Sequence, residues 1–241
     1  MNILFVHGNY PAQFVHLSRI LAAEGHRVVF LTNRKDPEVW PLEGVEVRRY
    51  DMHRQVNPEI HPYLLTMEEA VLNGQAVLRA LLQLNDEGFQ PQLTVVHGGN
   101  GLSLFVQHLF ARTRLITYME WWFRDATCCW LFQDYSFDKR LRTTMRNSVI
   151  LQELEQCDIA ITPTVWQQQQ FPKHYQKKIR VIFDGVDTSF FKPTPAIGEV
   201  FFNGMELEQP LRISPQACLL TYATRGMETL RGFPEFMRML P

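Results

Sequence analysis

The chain has 241 residues, with 24 Lys and Arg against 25 Asp and Glu, 46% apolar and 20% charged residues. That length can bury a sizeable core, and the near-neutral balance excludes the basic footprint of a nucleic-acid binder. No apolar run reaches the ~18 residues of a membrane span, and Cys128, Cys129, Cys157 and Cys218 lack disulfide-scaffold or zinc spacing, so they read as free thiols in a reducing cytoplasm.

Met1-Asn2-Ile3-Leu4-Phe5-Val6 has neither a basic n-region nor a cleavage site, so no cleaved secretion signal is expected. Asn2–His7 is a nearly continuous apolar run, the mark of a strand covered on both faces. Gln13–Glu24 repeats apolar residues at Phe14, Leu17, Ile20 and Leu21, which is helical spacing, and Gly25 is its stop. Arg27–Thr32 and Val45–Tyr50 read as strands. A long amphipathic helix is predicted from Leu64 to Glu87, with Met67, Ala70, Val71, Val77, Leu78, Leu81 and Leu84 on its apolar face.

Leu93–His97 reads as a strand, Leu102–Arg112 as a helix and Leu115–Met119 as another strand. A helix over Lys139–Gln156, a strand Asp158–Thr162, a short helix Val165–Gln170 and a strand Ile179–Phe183 close the series. Such alternation predicts an α/β fold, a doubly wound parallel sheet of Rossmann-like topology. After Phe183, Asp184-Gly185-Val186-Asp187 forms a turn and Pro193, Pro195 and Gly198 punctuate a connection. Strands at Glu199–Asn203 and Leu219–Thr224 and a helix at Gly232–Leu240 follow. That stretch is short for a core of its own. The predicted division is a first domain over 1–192 and, over 193–241, a linker with the start of an incomplete second domain.

Doubly wound sheets take ligands at the carboxyl ends of their strands. The first such loop, His7-Gly8-Asn9-Tyr10-Pro11-Ala12-Gln13, is not a G-x-G-x-x-G, and the second strand ends without an acidic residue. A dinucleotide cofactor is therefore not expected, and no P-loop signature is present.

Four segments, in order, resemble one family. They are His7-Gly8-Asn9-Tyr10-Pro11-Ala12-Gln13-Phe14 with Gly25-His26-Arg27-Val28; Pro163-Thr164-Val165-Trp166-Gln167; Gly185-Val186-Asp187 with Phe191-Lys192-Pro193; and Thr221-Tyr222-Ala223-Thr224-Arg225 with Leu230-Arg231-Gly232-Phe233. Together they resemble the amino-terminal part of a retaining family-4 glycosyltransferase of GT-B fold, and they cover nearly the whole chain. The G-V-D and P-T-x-W-Q segments fit transferases better than a sugar-nucleotide epimerase of the same fold.

The resemblance implies transfer of a hexosyl group from a nucleoside-diphosphate sugar to a hydroxyl acceptor. The acceptor would bind mainly the first domain and the donor mainly the second. Neither a cofactor nor a metal is implied. The family's paired donor-site glutamates would lie beyond Pro241, so this chain reads as truncated, as one half of a split enzyme covered by a partner chain or a second copy, or as a non-catalytic binding module.

Gly8 and Asn9 are candidate backbone donors to the diphosphate, or a plain tight turn. Arg225 and Arg231 match the family's basic pair at the donor phosphates, or are solvated surface residues. His97, in Val95-Val96-His97-Gly98-Gly99-Asn100-Gly101, and Glu120 stand at strand ends as candidate catalytic residues, with structural roles as the alternative. Tyr118, Trp121 and Trp122 are acceptor-side candidates. Three of the five tryptophans fall between Trp121 and Phe132; these aromatics suit sugar rings, a membrane surface or a buried cluster. Asp184 and Asp187 read as turn-capping carboxylates rather than metal ligands.

Overall fold

The computed structural model describes residues 1–131, 135–193, 200–202, 211–214, 216–218, 220–224 and 226–240. They form two compact units, Met1–Asp184 and Gly185–Pro241.

The first unit is built on seven parallel strands: β1 (Asn2–Val6), β2 (Arg27–Thr32), β3 (Val45–Arg49), β4 (Leu93–His97), β5 (Arg114–Tyr118), β6 (Ile159–Thr162) and β7 (Ile179–Val181). Their order is β3-β2-β1-β4-β5-β6-β7, the doubly wound sheet expected from the alternation. The side chains of β1 show why its sequence is apolar throughout. Leu4 and Val6 enter one buried cluster, while Ile3 and Phe5 enter another on the opposite face. Full burial of each such side chain is worth about 1.5–3 kcal/mol.

The connecting helices are α1 (Val15–Ala23), α2 (Leu65–Asp86), α3 (Val106–Leu109), α4 (Asp125–Leu131), α5 (Phe137–Gln156), α6 (Val165–Gln170) and α7 (Lys173–Gln176). Ala76, Leu81 and Leu84 of α2 and Ile150 and Leu154 of α5 join the cluster with Leu4 and Val6. Phe14, Leu21 and Ala22 serve the opposite face. That face is thinly covered towards β6, where Ile161 is half-buried and Ile159 exposed.

The first helix differs from expectation. A 3-10 turn, Ala12–Phe14, precedes α1, and Ser18 is buried while Leu17 and Ile20 face solvent. The buried stripe thus runs Phe14–Ser18–Leu21–Ala22, one step around the helix from the purely apolar one. The helix predicted over Leu102–Arg112 contracts to α3, because the preceding loop bonds to a side chain of α5 instead of continuing its own ladder. The aromatic stretch after β5 becomes helical from Asp125.

In the second unit, β8 (Val200–Phe202) pairs antiparallel with β9 (Leu211–Ile213). The expected strand Leu219–Thr224 is not formed in its described residues, 220–224. Tyr222 instead packs on α8 (Phe233–Met239), its ring centroid 5.3 Å from Phe233 and 5.0 Å from Phe236. Its hydroxyl donates to the Arg231 carbonyl at 3.1 Å. Gly232, at φ +72°, turns the chain into α8 where a Cβ would be strained.

Candidate functional site

The sheet order reverses between β1 and β4, so the loops leaving these strands diverge and open a crevice at their carboxyl ends. Two histidines meet there. His7 follows β1 and His97 ends β4, with ring centroids 4.3 Å apart. The β4–β5 register places His97 beside Tyr118, and their rings stack at 5.6 Å. Glu120, two residues further, brings Oε2 to 3.4 Å from His97 Nε2. Strand pairing thus assembles His97, Tyr118 and Glu120, the grouping that their strand-end positions suggest.

The sequence reading left out His7. Its Nδ1 accepts the Asn9 backbone N–H at 2.8 Å, so Nε2 carries the ring proton and donates to Gln13 Oε1 at 2.9 Å. Burial, reinforced by the neighbouring His97, pushes its pKa down to about 3. His7 is therefore a neutral imidazole packed on His97. Its signal was available, since it stands at the carboxyl end of β1 as His97 does on β4.

Gly8 and Asn9 lie at the mouth of the same crevice, but α1 starts only at Val15 and the Asn9 N–H is spent on His7. The Gly8 carbonyl accepts from Thr32 Oγ1 at 3.1 Å. Tyr118 is a buried wall whose hydroxyl donates to both Asp184 oxygens, at 2.9 and 3.1 Å. Burial and that carboxylate raise its pKa far above the ordinary phenol value. Asp187, described in the second unit, caps its own turn by accepting from the Ser189 and Phe190 backbone N–H groups.

The aromatic loop divides. Trp122 belongs to the core, 5.7 Å from Phe171, which corrects its placement on the acceptor side: its ring fills space beneath the loop. Trp121 is half-buried, 5.8 Å from Trp166. Asn147 of α5 holds the loop, accepting from the Phe123 N–H at 3.0 Å and donating to its carbonyl at 2.8 Å. Gln167 Nε2 donates to the Glu120 carbonyl at 2.8 Å. Thr164 caps α6 by accepting from the Gln167 N–H at 3.1 Å and donates to its side-chain oxygen at 2.7 Å. The Pro-Thr-x-Trp-Gln segment is thus a helix cap that also anchors Glu120.

Glu153 is a further residue the sequence reading passed over. It is fully buried and accepts from the Gly99 N–H, from Ser103 Oγ at 2.9 Å and from the Ser103 N–H at 3.3 Å. Burial raises its pKa despite these bonds. The carboxylate thereby fixes the glycine loop that continues from His97. Its signal was positional, because Glu153 lies on the buried α5 stripe with Val149, Ile150 and Leu154.

Arg231, in the second unit, pairs with Glu228 at 3.2 Å. Arg225 lies outside the described residues. Among the described residues no group of three His, Cys, Asp or Glu side chains could hold a metal ion. No helix among them is long and apolar enough to cross a membrane.

Residues 24–191 match the family described as glycosyl transferase family 4 group. No curated protein matches the chain. Among solved structures, a variant of Os79 from O. sativa in complex with UDP is 11% identical, covering 85% of this chain and 56% of that one, with a TM-score of 0.51. Sucrose-phosphate synthase from Thermosynechococcus elongatus is 16% identical, covering 78% and 91%, with a TM-score of 0.49. CalG4, the calicheamicin glycosyltransferase, is 16% identical, covering 82% and 56%, with a TM-score of 0.48. The chain spans about half the length of the CalG4 and Os79 chains it matches.

Proposed function

The chain belongs to the glycosyl transferase family 4 group, and from that premise we propose that it transfers a hexosyl group from a nucleoside-diphosphate sugar, with retention, to a hydroxyl acceptor. The observation that carries this reading is the convergence of His7, His97 and Glu120 at the switch point of the sheet. A transition state of this kind builds positive charge on the sugar and negative charge on the leaving diphosphate. It needs a group to orient the acceptor hydroxyl and donors at the phosphates.

In this reading His97 and Glu120 orient the acceptor hydroxyl. Glu120 is about half exposed and His97 mostly covered, so the pair presents one solvent-facing carboxylate backed by a fixed ring. Neutral His7 supports that ring without adding a second charge. Gly8, Arg225 and Arg231 are the candidates at the diphosphate. The Os79 structure contains UDP, which makes UDP the first nucleotide to test.

The test is isothermal titration of the chain with UDP and GDP, then with UDP- and GDP-sugars, followed by a turnover assay on any sugar that binds. Saturable nucleotide binding with sugar transfer is the expected result. A chain that binds no nucleotide would overturn donor use by this polypeptide and leave it an acceptor-binding half.

A further inference from the structure

The loop that leaves β4 at His97 closes around one side chain. Glu153 of α5 is fully buried, and its Oε2 accepts from the Gly99 N–H. Its Oε1 accepts from Ser103 Oγ at 2.9 Å and from the Ser103 N–H at 3.3 Å. All three groups point a hydrogen at it, so both oxygens work as acceptors, the geometry of a carboxylate and not of a carboxylic acid. Burial raises its pKa, and the Gly99, Ser103 and Gly101 donors oppose that rise.

Backbone N–H groups gathered in a turn make a concavity that suits an anion. Here the chain supplies the acceptor itself, from α5. The donors at Gly99 and Ser103 are therefore spent inside the protein, and the loop is held before any ligand arrives. A second helix holds it as well, because Asn73 of α2 donates to the Asn100 carbonyl at 3.3 Å. Two helices thus grip two consecutive residues, Gly99 and Asn100.

That grip reaches His97 through two peptide units. Gly98 donates its N–H to the Tyr118 carbonyl at 2.8 Å, and Gly99 donates to Glu153. Successive N–H groups are fixed to β5 and to α5, which leaves the backbone at His97 little freedom to rotate. The direction of its side chain follows from that backbone. Its ring stacks on Tyr118 at 5.6 Å and meets Glu120 Oε2 at 3.4 Å, contacts that a shift of about an ångström would spoil.

We infer that Glu153 is a positioning residue: its buried carboxylate, by gathering the N–H groups of the loop, sets the His97 ring against Tyr118 and Glu120. The inference rests on the glycosyltransferase reading for the work His97 does, but the positioning itself does not depend on it. Two readouts on the whole chain test it. NMR follows the contact between the His97 and Tyr118 rings, with the Trp122–Phe171 contact of the core as the fold control. Turnover of the UDP- or GDP-sugar that the wild type uses gives kcat and KM.

Glu153→Gln sets an amide N–H against one of these donors. It is expected to lose the His97–Tyr118 contact while keeping the Trp122–Phe171 contact. Its kcat is expected to fall roughly tenfold or more with the donor KM unchanged. Glu153→Ala is expected to behave alike, and to regain the His97–Tyr118 contact when formate is added but not with chloride at the same ionic strength. If circular dichroism shows both variants unfolded, Ser103→Ala removes one hydroxyl donor from the same carboxylate and is expected to weaken the contact. A folded Glu153→Gln chain with that contact or its kcat intact, a Glu153→Ala chain that formate does not restore, or a Ser103→Ala chain with the contact unchanged overturns the proposal. A wild-type chain that turns over no nucleotide sugar removes only the transferase reading, since the NMR readout needs no substrate.

Discussion

His7 shows how one buried side chain couples the site to stability. Its folded pKa is about 3, against 6.5 for an ordinary histidine. As pH falls below about 6.5 the unfolded chain takes up a proton at this position and the folded chain does not. Stability is therefore lost between about pH 6.5 and pH 3, at up to ~1.4 kcal/mol per pH unit. Glu153 contributes with the opposite sign, because its pKa is raised by burial, so the His7 effect is isolated only by comparison with a variant. Urea unfolding of the wild type and of His7→Gln at pH 7, 5.5 and 4.5 should show the wild type losing stability more steeply. Parallel slopes would mean that His7 is hydrated in the folded state. At this scale the strand-end positions of His97 and Glu120 were legible in the sequence, because the carboxyl end of a buried apolar run is recognisable without coordinates. The sequence hid the cluster's support, because pairing His7 with His97 requires knowing that β1 and β4 are neighbours. Trp122 misled for a related reason: an aromatic in a loop has the same letter whether it faces a cleft or a core.

The strands of the first unit were readable because parallel strands buried on both faces leave continuous apolar runs. The segment after β4 was not, since its conformation is set by contacts distant in sequence. Gly101 adopts φ +78°, and a Cβ there would lie 2.3 Å from the Ala70 carbonyl oxygen of α2. That oxygen is backbone and cannot swing aside. Gly101→Ala should destabilise the chain by about 3 kcal/mol or more, through strain at a left-handed backbone and a forced retreat of α2. Denaturant unfolding measures the loss, and a cost under about 1 kcal/mol would mean that α2 and the loop separate easily. A smaller effect is expected at α6, where the cap is a single hydroxyl. Thr164→Ala should cost about 1 kcal/mol and Thr164→Ser most of a kilocalorie less, because serine can make the same bond. Equal losses in the two variants would show that the methyl group, not the cap, is what matters.

Across the whole molecule, burial is unevenly shared. Every member of the three buried clusters lies at or before Ile179. Among the residues from Gly185 onward whose burial is described, none is buried. Two-stranded ribbons are marginal by themselves, and the second unit's β8–β9 pair is one. The free energy that holds the fold therefore comes from the first unit, since burial of apolar surface is its dominant favourable term. We propose that residues 1–192 form an autonomous domain, the division that the turn at Asp184-Gly185-Val186-Asp187 and the following prolines suggest. A chain ended after Lys192 keeps the Tyr118–Asp184 hydrogen bonds and all three clusters. It should unfold in one cooperative step with a midpoint close to that of the full chain. Its denaturant dependence should fall only modestly, because that slope follows the surface exposed on unfolding. A shortened chain that lost its cooperative transition would show instead that residues beyond 192 complete the first core, and the boundary would move with it.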